Sequence, residues 1–322
     1  LTTKAINTSA SNNGDGGGVL LLAGSTLKTG AVTTSGGDES GGYVFIASGS
    51  SVKTGTITTA GVHDADGGNV TVLAGTTLQI GNVNTAGAGN GDGGNVILRS
   101  GTTLTTQDVI TVGGKSGDGG NIDLSSGKSL VADDLNASGG SSGNPGSITI
   151  NGGTTGTGNV TVSNITDNGV SGGGSITITT PGQATVSNTI SAVDGTVTDN
   201  NQTSSIGYID VCSGKININP IGNGDQPVVI RLEDFANYGT ANVVIGGAAG
   251  YSNDILISGN CNQCFGNVSS ITVNTKGDYT ATGTTLTLGN DQSFQVNAAG
   301  NVSTGTVIGG QSVGFTGGGV IS

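Results

Sequence analysis

The chain has 322 residues, 64 of them glycine, with no Met or Trp and only 3% aromatic residues, so it lacks the bulky side chains that fill one thick core at crystal-like density. Charged residues make up 9%, with 21 acidic against 9 basic and a net charge of −12, which speaks against a nucleic-acid interface built on clustered Lys and Arg. Hydrophobic residues reach 33% and are regularly spaced, unlike those of a disordered chain, and no apolar run approaches the roughly 20 residues of a membrane-spanning helix.

From the N-terminus onward the chain repeats a Gly-Gly-x-Val phrase. It occurs at Gly17-Gly18-Val19, Gly41-Gly42-Tyr43-Val44, Gly67-Gly68-Asn69-Val70, Gly93-Gly94-Asn95-Val96 and Gly119-Gly120-Asn121-Ile122. Weaker copies follow at Pro145-Gly146-Ser147-Ile148 and Gly173-Gly174-Ser175-Ile176. The steps between the branched residues are 25, 26, 26, 26, 26 and 28. Each copy holds three strand-like runs separated by Gly and polar turn residues. The first run alternates apolar residues, as in Val70/Val72 and Val96/Leu98, which marks one buried face. The second carries a single anchor at Leu27, Val52, Leu78, Leu104 and Leu130. The third is anchored at Ile6, Val32, Ile57, Val83, Val109, Leu135 and Val160.

Three strands per 26 residues make one coil of a three-sided solenoid, and the fold class expected is all-β, a right-handed parallel β-helix. A propeller needs a longer period, and a leucine-rich repeat needs its own Leu pattern. Residues 1–180 read as regular coils. Residues 181–267 read as irregular coils with an inserted loop or small subdomain, and 268–322 as further coils. The first strand aligns with the middle of a later coil, which predicts a parent chain that extends further.

The irregular stretch holds all three cysteines, Cys212, Cys261 and Cys264. A single Cys-x-x-Cys with the one histidine, His63, far away in sequence favours a loop disulfide in an oxidising compartment over zinc or redox chemistry. The pairing is open.

Acidic residues precede the Gly-Gly phrase at Asp15, Asp38, Glu39, Asp64, Asp66, Asp92 and Asp118. Stacked along one corner they offer carboxylates for Ca²⁺ between coils, or they are simply Asp-Gly turn chemistry. Asp15, Asp38, Glu39, Asp66, Asp92 and Asp118 are the candidate metal ligands. No catalytic cluster is evident. Arg99 and Asp123 form an isolated pair. Asp133 and Asp134, adjacent in the chain, are expected to face opposite ways along a strand.

The phrases Gly-Gly-Asn-Val-Thr-Val-Leu-Ala-Gly (67–75), Gly-Gly-Asn-Val-Ile-Leu-Arg-Ser-Gly (93–101) and Ala-Ala-Gly-Asn-Val-Ser-Thr-Gly (298–305) resemble the repeats of filamentous-haemagglutinin-like secreted β-helix surface proteins of Gram-negative bacteria and cyanobacteria. The resemblance covers 1–180 well and 270–322 loosely, and the family's secretion domain is not recognisable here. It implies a passenger segment of an exported fibre at the cell surface. Its implied role is non-catalytic, structural or adhesive, with a host surface, a glycan or neighbouring copies of the same protein as partners. The alternative is a carbohydrate-active β-helix enzyme of the lyase or hydrolase type.

Overall fold

The computed structural model describes residues 1–153, 158–169 and 174–190, the strand backbones between 191 and 262, and residues 270–322 apart from 284, 289 and 291–292. Every regular element among them is a β-strand, and no described helix is long and apolar enough to cross a membrane. The strands stack in parallel as a β-helix.

The first sheet begins with Val19–Ala23, Val44–Ser48, Val70–Ala74, Val96–Ser100 and Ile122–Ser126. Each pairs with its neighbour in unbroken register, for example Val70↔Val96 and Val96↔Ile122. The second face stacks Leu27, Val52, Leu78, Leu104, Leu130, Val160 and Ala184. The third stacks Ile6, Val32, Ile57, Val83, Val109, Leu135, Ile165 and Ile190. Val160 therefore belongs to the second face, and Ile165 is the third-face anchor of its coil. The cause is a longer corner: Leu130 and its stacking partner Val160 are 30 residues apart instead of 26.

Side chains from all three faces meet on the axis. Leu27, Ile57, Leu98, Leu104 and Leu124 are fully buried. Removing such a side chain from water contributes roughly 1.5–3 kcal/mol, and the stack repeats that gain coil after coil. The Gly-Gly phrase has a steric cause. A Cβ on Gly67 would overlap the carbonyl oxygen of Thr85, and one on Gly93 that of Thr111. The corner backbone of one coil passes too close to the next for any side chain there.

Beyond residue 180 the first sheet continues through Thr196–Asp210, Lys215–Ile218, Asn242–Ile245, Ser270–Thr275, Ser293–Ala298 and Ser312–Gly317, all parallel. The step shortens from 28 residues to 21 between Ile176 and its partner Val197. Here the strands Ser175–Ser191 and Thr196–Asp210 run on past the corners, which are marked by register shifts between Thr180 and Gln183 and between Val186 and Thr189. Bulges have taken over from Gly-rich turns as the means of bending the chain. Cys261 lies on the short strand Asn260–Asn262, opposite Leu286. Cys212 and Cys264 lie outside the described residues, so the disulfide candidates are not compared.

Candidate functional site

The long corner that leads from the third face back to the first gathers most of the acidic residues. Its geometry is a ladder of side-chain acceptors. Asp66 Oδ1 accepts the backbone N–H of Asp92 at 2.7 Å. Asp92 Oδ1 accepts that of Asp118 at 2.7 Å, and Asp118 Oδ1 that of Asn144 at 2.7 Å. Asp15 begins the series by accepting Ser40 N–H at 3.1 Å. Asp38 and Glu39 are not rungs of this ladder, because Ser40 occupies the position between Asp15 and Asp66. Asp38 instead meets His63 Nδ1 at 2.8 Å, and Glu39 is exposed.

Beside it runs an asparagine ladder. Asn69 and Asn95 Oδ1 each accept the N–H of the next asparagine at 2.7 Å, and Asn121 accepts that of Ser147 at 2.8 Å. Asp64 takes both the backbone and side-chain N–H groups of Asn90, at 3.1 and 3.2 Å. The carboxylates of Asp66, Asp92 and Asp118 thus satisfy amides that turn outward where the strand ladder stops. No group of three or more His, Cys, Asp or Glu side chains gathers closely enough to hold a metal ion among the described residues.

Asp133 and Asp134 depart from strict alternation. Both are exposed within the strand Ser129–Asn136, because the chain turns the corner between its second and third faces there. Pairing with the next coil passes from Ala132 to Asp134 and leaves Asp133 out. Asp134 accepts the side-chain N–H of Asn164 at 2.7 Å, another coil-to-coil contact.

The outer face of the first sheet is chemically different from the corners. Outward positions alternate with the core residues and stack in two columns. One runs Leu20, Phe45, Thr71, Ile97, Asp123, Thr149; the other runs Leu22, Ala47, Leu73, Arg99, Ser125, Asn151. Leu20, Leu22 and the neighbouring Tyr43 are 59%, 61% and 58% exposed. Phe45, Leu73 and Ile97 are half-buried. The face is therefore apolar over the N-terminal coils and turns polar at Arg99.

An open groove of about 370 Å³ begins where the change occurs, lined by Arg99, Asp123, Ser125, Thr149 and Asn151. Arg99 Nη2 meets Asp123 Oδ2 at 2.7 Å across one coil step, so the two residues singled out by sequence do form a pair. The groove offers guanidinium, carboxylate, hydroxyl and amide groups side by side on a rigid sheet. The apolar columns beside it were not singled out in the sequence, although every second residue of the Gly-Gly-x-Val strands belongs to them.

No protein family, curated protein or solved structure matches this chain.

Proposed function

We propose that the chain is a non-catalytic structural and adhesive segment of a large exported cell-surface fibre, of the filamentous-haemagglutinin-like kind, acting outside the cell or at the outer-membrane surface. The observation that carries the reading is the outer face of the first sheet. Exposed Leu20, Leu22 and Tyr43 stand on a rigid stack and lead into the groove at Arg99 and Asp123. Contiguous apolar surface rimmed by polar groups is the usual mark of an interaction site. A glycan suits this face best among the proposed partners. Aromatic and aliphatic surface packs against the apolar faces of sugar rings, and convergent hydroxyl, amide and charged groups orient their hydroxyls.

The corner chemistry supports the same reading. Carboxylates that would serve as acids or bases in a polysaccharide lyase or hydrolase are engaged in holding the next coil.

The test is binding to an array of host and bacterial glycans, with each bound polysaccharide then assayed for chain length. Binding without shortening is expected, and Leu22→Glu with Tyr43→Ala abolishes it. Shortening that disappears in Asp123→Asn would replace this reading with the carbohydrate-active enzyme. Concentration-dependent self-association without glycan binding would transfer the face to neighbouring copies.

A further inference from the structure

Two residues past each third-face anchor, the chain carries a column of threonines: Thr8, Thr34, Thr59, Thr85 and Thr111. Each donates its hydroxyl to the carbonyl of a glycine that opens the following first-face strand. The acceptors are Gly17, Gly42, Gly68, Gly94 and Gly120, at 2.5 to 2.7 Å. Ala137 holds the column in the next coil, and in the coil after that, anchored by Ile165, the column residue is Asp167. The glycine equivalent to the earlier acceptors is Gly174, two residues before Ile176.

Asp167 has no exposed surface, and neither carboxyl oxygen has a hydrogen-bond partner. Its Oδ2 lies so close to Gly174 that a Cβ there would overlap it. The described neighbours in this position, Ala137 in the column and Gly146 and Gly174 in the corner, do not ionise, and no charged side chain forms an ion pair with Asp167. An ionised carboxylate in such a place has lost its water and gained no donor. A neutral acid, by contrast, carries an O–H where the threonines carry theirs.

We propose that Asp167 is held as a neutral acid whose O–H takes the place of the threonine hydroxyl toward the Gly174 carbonyl, and that its coil is thereby a pH-sensitive joint in the rod. Burial alone pushes this carboxyl up to about 8. The unfolded coil has an ordinary aspartate that titrates near about 3.9. The folded coil therefore binds a proton that the open coil releases. Its stability is complete below about pH 4, falls as the pH rises toward about 8, and is level above that. In this window the equilibrium constant for opening rises about tenfold per pH unit.

The test is amide hydrogen exchange between pH 5 and pH 9, corrected for the intrinsic pH dependence of exchange, on the whole chain and on Asp167→Thr and Asp167→Asn. All other charges are common to the three proteins, so their difference isolates this group. Amides of Asn159–Thr166 and of the first turn of Ser175–Ser191 should open progressively in the parent protein from pH 5 to 8. Asp167→Thr restores the column residue and should remove that dependence; Asp167→Asn should also be flat with pH. Infrared spectra of the parent protein at pH 6 should show a protonated carboxylic acid that is missing from Asp167→Asn. The same pH dependence in all three proteins, or no such infrared band, would overturn the proposal.

Discussion

At the corner between the third and first faces, carboxylate and carboxamide accept the same bond. Asp66, Asp92 and Asp118 each take the next coil's amide at 2.7 Å, as Asn69 and Asn95 do one strand-start further on. The oxygen matters and the charge does not. Asp92→Asn keeps the acceptor and removes a like charge from a column of exposed carboxylates roughly 4.8 Å apart. It should leave stability unchanged or raise it slightly at low salt. Asp92→Ala leaves the Asp118 amide to water and should cost about 1 kcal/mol. Urea melts at low and high ionic strength check both, with the gain in Asp92→Asn shrinking as salt screens the column. The ladder was legible in one respect, since 66, 92, 118 and 144 are spaced by 26 and the last is Asn. Its use was not, because the acceptor and its amide are a full coil apart in the chain. Asp38 and Glu39 were grouped with the rungs through sequence proximity to Asp15 and Asp66, whereas the rung is Ser40.

The coil is the unit in which packing is decided. Leu104 is fully buried between Leu78 and Leu130 on the second face. Leu104→Ala should cost about 2–5 kcal/mol through lost burial and the cavity left behind. In a solenoid each coil touches only its neighbours. Hydrogen-exchange protection should therefore fall at Thr77–Gln79, Thr103–Thr105 and Ser129–Asn136, and hold at Val19–Ala23. Loss of protection along the whole rod would mean that the stack melts as one body.

The three-run period was legible because backbone pairing forces equivalent residues into columns, and a column must keep one chemical character. The reading failed where a corner changed length. Counting 26 from Leu135 suggests Val160 as the third-face anchor, but the extra residues after Gly152 place it on the second face. The same slip hid Asp167: with Val160 as anchor, Val162 falls in the threonine column and the aspartate looks like a loop residue. Turn length carries little hydrophobic signal, so sequence spacing is weakest at the corners.

For the whole molecule, the net charge of −12 is spread along a rod whose acidic corner carries its own hydrogen-bond partners. A calcium-dependent rod would need those oxygens for the ion. We expect a chelator to leave the melting temperature unchanged; a fall of more than about 2 °C, corresponding to roughly 1 kcal/mol in a chain of this size, would restore the calcium reading. The outer face of the first sheet makes the rod directional, apolar toward the N-terminal coils and polar from Arg99 onward.

The parallel pairing described for every coil also has a mechanical meaning. Bonds such as those joining Val70–Ala74 to Val96–Ser100 point along the axis of the rod. Tension applied at the two ends loads them in series, and the outermost coil yields first. Each coil that peels away exchanges about 4.8 Å of rod for the contour of its 26 residues, a gain in reach of roughly 80 Å. A fibre built this way lengthens by discrete steps under load while the remaining coils stay folded, so a surface attachment that is pulled gives way gradually before it breaks.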